Sequence, residues 1–231
     1  MSTGEQSEAR WMQLTVDMQT ELRDGLNGLG GKPREGLHEA YLGYTAGHIN
    51  RAVEGYVYLR QSGRSEASKL LVRTGIEAVI RLQAVRTKPE LLFRIAFTEF
   101  NEDRKWVRSS GGRDASEALR AIDTHWDQFT HAYRTKYPDH VLTEEEISLR
   151  RAAECAGIER YYDTHYRLYC RYTHAAFRAT TGNLSEFDQE DTRTMALCAF
   201  SALETLSSID ATTPNLVSLR ERLHTLQSIE S

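Results

Sequence analysis

The chain reads as an all-α protein, an antiparallel multi-helix bundle of about eight helices, and three observations carry that expectation. Apolar residues recur at three- and four-residue steps over long stretches, the period of a helix with one buried face. Alternation at period two is nowhere sustained, so strands find no support. The prolines are few, at positions 33, 89, 138 and 214, and each stands where a helix should begin or end.

The first helix is expected over about Glu8 to Leu26, before a break at Gly28, Gly30 and Gly31. Residues 1–31 are therefore set apart as an N-terminal helix with a Gly-rich linker, and 32–231 as the helical bundle domain. The second helix, about Glu35 to Gln61, stops at Ser62-Gly63, and the third follows from Ser65 to Arg86. So short a connection makes the two an antiparallel hairpin. Lys88-Pro89 opens a fourth helix that runs to about Arg108 and closes at Ser109-Ser110-Gly111-Gly112. A fifth covers about Ala115 to Lys136 and ends at Tyr137-Pro138. Thr143-Glu144-Glu145-Glu146 has the form of a capping box, which predicts a sixth helix from Thr143 to Cys155. Gly157 permits a bend or restart, and the helix beyond it ends at Thr181-Gly182-Asn183. The last two helices span about Gln189 to Ile209 and Pro214 to Ile229.

At 231 residues, 40% hydrophobic and 27% charged, the chain can bury a sizeable core. A net charge of -4 with a pI near 6.1 excludes a broadly basic, nucleic-acid-coating protein but leaves room for a local cationic face. Cys155, Cys170 and Cys198 are odd in number, widely spaced and without a CxxC pair, the usage of reduced thiols in a cytoplasmic protein. No apolar run approaches the roughly 20 residues that cross a bilayer, and the N-terminus lacks a basic and apolar leader. No membrane association is expected.

The most distinctive stretch is Arg160 to Arg178. Arg160, Asp163, Arg167, Arg171, His174 and Arg178 recur every three or four residues and, at about 100° per residue, share one helix face. Ile158, Tyr161, Tyr162, Leu168, Tyr169, Tyr172, Ala176 and Ala179 form the opposite, core-facing side. Arg167 and His174 are seven positions apart, hence about 20° apart around the axis. An imidazole near neutrality can exchange a proton with a hydroxyl while a guanidinium holds a phosphate. That pairing suits metal-independent RNA cleavage by attack of the ribose 2'-hydroxyl. A solvated cationic face accounts for the same pattern. Arg160 and His165 also stand in one helix, but about 140° apart, which gives His165 to the tyrosine-rich face and a structural hydrogen bond.

Arg73, Glu77 and Arg81 follow at four-residue steps, either as a salt-bridge ladder or as partners that orient the Arg/His face. Tyr41, Tyr44, Tyr56 and Tyr58 stand beside His48 and Arg51 at a spacing that reads first as core and only second as a base-stacking platform. Glu221 and His224 make one Glu-x-x-His where a di-iron bundle needs two, so no metal site is assigned, and no cofactor is expected. Phosphate-binding glycine loops, HExxH and GxSxG are absent.

The segment Leu71-Val72-Arg73-Thr74-Gly75-Ile76-Glu77, with Tyr166-Arg167 and Thr173-His174 downstream, resembles an uncharacterised bacterial all-helical family, domain of unknown function fifty-six seventy-seven, over roughly residues 40 to 180. The Arg-x6-His spacing also resembles the Arg-x4-6-His signature of the HEPN superfamily, helical bundles that include metal-independent ribonuclease toxins and phage-defence effectors. That resemblance implies a HEPN-like core, a composite site between two subunits, and Arg167 and His174 as the catalytic pair. Under it, Arg171, Arg178 and Arg160 steer RNA, and Asp163, Arg73 and Glu77 support the pair from behind. The expected partners are RNA, a second copy of the chain, and an antitoxin or other partner protein. The alternative is a non-catalytic helical binding or scaffold module whose Arg-rich face docks an acidic partner or a nucleotide.

Overall fold

Trp11, Leu14, Met18 and Leu22, spaced three and four apart, are fully buried along one face of the first helix, α1 (Thr3–Leu29). The computed structural model describes residues 3–30, 36–110, 114–173, 188–210 and 216–229. Among them every regular element is helical, so the all-α bundle stands. Helices α2 (Leu37–Gln61) and α3 (Ser65–Thr87) form the expected hairpin. Its turn closes on Gly63 at φ 71°, with the Arg64 amide donating to the Leu59 carbonyl at 2.8 Å. That left-handed position is where glycine has no Cβ to clash.

A short 3-10 turn, Pro89–Leu91, precedes α4 (Leu92–Ser110), and α5 (Ala115–Lys136) returns against it. Phe93, Phe97 and Phe100 of α4 meet Trp126, Phe129 and Tyr133 of α5, with ring centroids 5.1 Å to 6.4 Å apart. Then come α6 (Leu149–Ala156), α7 (Glu159–Tyr161), a π-helical stretch (Tyr162–Tyr166) and α8 (Arg167–Thr173). Helices α9 (Asp188–Ile209) and α10 (Leu216–Ile229) complete the described elements.

The bundle is organised around α3, which packs on α2, α6, α8 and α9, while α1 lies on α2 and α9. Trp11 and Leu14 thus belong to the same core as Ile49, Ile76 and Met195. No helix among the described residues is long and apolar enough to cross a membrane.

One expected element starts elsewhere. The sixth helix begins after Ser148, whose Oγ accepts from the Arg151 amide at 3.1 Å, not at Thr143. Residues 141–148 are irregular and lie across α4. There the Glu146 carboxylate accepts from Lys105 at 2.7 Å and from Asn101, so it does not reach back to cap a helix. The Ile147 amide donates to Thr98 Oγ1 at 2.9 Å, and its side chain is buried. Lateral partners on α4 outbid the local capping box.

Candidate functional site

The helix with the Arg/His stripe is not a uniform α-helix. Between α7 and α8 the five residues Tyr162–Tyr166 take π-helical geometry, a widened turn that proteins often place at functional positions. Arg160, Asp163 and Arg167 nevertheless all emerge on the exposed side as expected, and Ile158, Tyr161, Tyr162, Leu168 and Tyr169 point inward or are half-buried. Arg167 is 63% exposed and lies 3.5 Å from the Asp163 carboxylate. The helix of Arg171 is described but not its side chain, and His174 and Arg178 lie outside the described residues.

Two tyrosines fasten this helix from its inner side. The Tyr166 hydroxyl donates to Glu77 Oε1 at 3.1 Å, and the Arg73 guanidinium stands 5.7 Å from the centre of the Tyr166 ring. Arg73 and Glu77 therefore support the residue next to Arg167, and their link to Arg167 runs through Tyr166. Three residues on, the Tyr169 hydroxyl donates to Asp191, which is fully buried and ion-paired with Lys69, itself 2% exposed. Lys69 also lies 3.4 Å from Asp188, Asp188 lies 2.8 Å from Arg60, and Arg60 pairs with Glu8. Tyr56 completes the buried group by bonding Thr192 at 2.7 Å. This network ties α8 to α1, α2, α3 and α9. Burial pushes the Asp191 carboxyl up, and the Lys69 ammonium and Tyr169 hydroxyl pull it back.

Arg81, the last member of the α3 ladder, donates to Glu99 at 3.2 Å rather than to Glu77. It stands between two clefts. One, of about 440 Å³, is also lined by Glu77, Thr98, Glu146 and Leu149. The other, of about 240 Å³, is lined by Tyr41, Tyr44, His48 and Glu99. No group of three or more His, Cys, Asp or Glu side chains among the described residues is arranged to hold a metal, and Glu221 and His224 are both exposed. Cys155, Cys170 and Cys198 form no disulfide, and burial pushes Cys198 up to about 12, which makes it a poor nucleophile.

Residues 39–191, more than half of the 231-residue chain, match the model of a family of unknown function, DUF5677. The chain belongs to that family. The DUF5677 region begins in α2 and ends at Asp191, so it includes Arg60, Lys69, Arg73, Glu77 and the stretch from Tyr166 to Tyr169. Glu8 of α1 lies outside it. No curated protein and no solved structure matches the chain.

The buried network of this DUF5677 chain escaped the sequence reading, although a signal was present. Lys69 sits about 20° from Ile76 on the wheel of α3, and Asp191 precedes Met195 and Cys198 on the core stripe of α9. A charge on each of two apolar stripes marks a buried pair.

His165 is half-buried as expected, with its ring 4.8 Å from Tyr161 and 3.7 Å from Glu190. Burial, helped by Arg193, holds its pKa below the ordinary imidazole value. His48 is lowered in the same way by burial, Arg51 and Arg81, against the pull of Glu77. Both imidazoles bind protons more readily in the unfolded chain, so stability falls as pH drops below about 6.5. Urea midpoints are expected to be lower at pH 5.5 than at pH 7.5, and the difference should shrink in His48→Gln/His165→Gln. An unchanged difference would assign the pH response to other groups.

Proposed function

We propose that this chain is a HEPN-like, metal-independent endoribonuclease of toxin or phage-defence type. Arg167 binds the scissile phosphate, and His174 moves the protons. The ribose 2'-hydroxyl gives its proton to a base and attacks phosphorus, and the P–O5' bond breaks. The 5'-oxygen leaves with a proton, and a 2',3'-cyclic phosphate remains. Arg160, Arg171 and Arg178 draw the polyanion to the face, and a second copy of the chain presents the same helix opposite.

The observation that carries this reading is the setting of Arg167. Its only close carboxylate among the described residues is the exposed Asp163, and a solvent-screened pair of this kind holds by at most about 1 kcal/mol, little enough for a phosphate to displace it. The backbone beneath is fixed by Tyr166 on Glu77 and Tyr169 on Asp191, so an exposed guanidinium rides on an anchored helix. Preorganised cations of this sort are what a developing phosphorane charge requires.

The test is incubation of a mixed RNA pool with EDTA, comparing wild type with Arg167→Ala/His174→Ala after circular dichroism and sizing have matched the two. Fragments ending in cyclic phosphate from the wild type alone are expected. Equal cleavage by both, or by neither, would reject the nuclease. Salt-sensitive RNA or nucleotide binding without cleavage would make the face a docking surface.

A further inference from the structure

The four tyrosines of α2 part company in the fold. Tyr56 is buried in the core and Tyr41 turns inward to donate to Glu99 at 3.2 Å, whereas Tyr44 is 65% and Tyr58 67% exposed. Of the Tyr, Phe and Trp side chains among the described residues, only these two and Trp106 are so open to solvent. Midway between them stands Arg51, also exposed and with no carboxylate partner among the described residues. Successive steps of seven residues drift by about 20°, so Tyr44, Arg51 and Tyr58 form one straight outer ridge about 21 Å long. Packing explains the two inner tyrosines; it does not explain two rings held in water on either side of an unpaired guanidinium.

We infer that the Tyr44, Arg51 and Tyr58 ridge is a stacking track for single-stranded RNA, with bases on the two rings and a phosphate on Arg51. The inference rests on the nuclease reading above and names where the substrate strand lies outside the cleavage point. Base-on-aromatic stacking tolerates any sequence, and an arginine between rings adds both charge and a π-face. The ridge is about as long as a few nucleotides, within the range of about 4 to 16 that single-strand binding folds cover. Two packing steps connect its helix with the nuclease candidate. Helix α2 pairs with α3 along the hairpin, and α3 in turn holds Tyr166 through Arg73 and Glu77. The surroundings are not uniformly cationic, since Glu54 and Glu66 are exposed nearby in sequence. Affinity here comes from rings more than from charge, and its salt dependence is shallow.

The experiment uses the wild-type chain and a fluorescein-labelled 2'-deoxy oligouridylate about twelve nucleotides long, which lacks the attacking hydroxyl and stays intact. Tyr44→Ala and Tyr58→Ala are each expected to weaken binding about five-fold to 150-fold, while Tyr44→Phe and Tyr58→Phe bind as the wild type does. Arg51→Ala should reduce the slope of log affinity against log salt by about 0.7, one phosphate's worth. Unchanged affinity in the alanine variants would overturn the track. So would a shift of Tyr44→Ala/Tyr58→Ala to smaller size on a column with RNA binding intact, which makes the ridge a protein interface. The cleavage assay is separate: cleavage with unaffected tyrosine variants rejects the track alone, and tyrosine-dependent binding without cleavage rejects the nuclease alone.

Discussion

Asp191→Ala is expected to destabilise the fold by about 3 to 5 kcal/mol, read as a lower urea midpoint at unchanged slope. Removing one member of a buried ion pair strips the other of its nearest counter-charge, and Lys69 is as enclosed as Asp191. The Tyr169 hydroxyl loses its carboxylate acceptor in the same step, and the loss of that charge-assisted bond adds to the cost. Lys69 keeps Asp188 at 3.4 Å, which places the loss toward the lower end. The triple variant Lys69→Met/Asp191→Leu/Tyr169→Phe should recover most of that stability. Apolar side chains of similar volume need no partners, and buried ionic groups often gain nothing over them. If the triple variant is as unstable as Asp191→Ala, the cost belongs to packing and not to a charge that has lost its nearest partner.

Lys69→Ala carries a sign of its own. Asp191 already has a raised pKa through burial, and without the ammonium it rises further. A carboxyl that binds its proton more tightly in the folded state stabilises the fold as pH falls toward its unfolded value of about 4. The Lys69→Ala penalty should therefore be smaller at pH 5 than at pH 7. A penalty independent of pH would mean that Asp191 stays ionised or is reached by water.

The hairpin of α2 and α3 was legible because its determinants are local: two apolar periods and a Ser62-Gly63 turn in between. The Thr143 capping box was legible too, and misleading, since Lys105 and Asn101 take the Glu146 carboxylate from a helix forty residues upstream. The same distinction separates the parts of the site. The exposure of Arg160, Asp163 and Arg167 was legible because it follows from spacing, and spacing survives the π-helical stretch. Tyr166 was quoted only for its place before Arg167, and Tyr169 as one more core residue. Their phenols matter because Glu77 and Asp191 arrive from α3 and α9, a convergence that no single stretch encodes. The tyrosine quartet of α2 shows the limit of periodicity in one helix, since rings at 41, 44, 56 and 58 look alike until their neighbours are known.

His174→Ala is expected to lower RNA cleavage by about 10² to 10⁴, the usual worth of a general acid or base. Arg167→Ala should lower it by a comparable factor, and Arg167→Lys should recover little. Lysine restores the charge but not the two-pronged geometry that grips two phosphoryl oxygens at once. If the two groups act on one phosphate in one step, as proposed, the double variant should be scarcely slower than the worse single one. Independent contributions would multiply, giving a loss of about 10⁴ or more from two factors of 10². Cleavage against pH separates the roles further. The wild-type profile should bend where His174 titrates, and that bend should vanish in His174→Ala while persisting in Arg167→Lys. A bend that survives the loss of His174 would assign the proton transfer to another group. His48 is the next imidazole to test, since it lines a cleft beside Arg81, and burial, with Arg51 and Arg81, holds its pKa below the ordinary imidazole value.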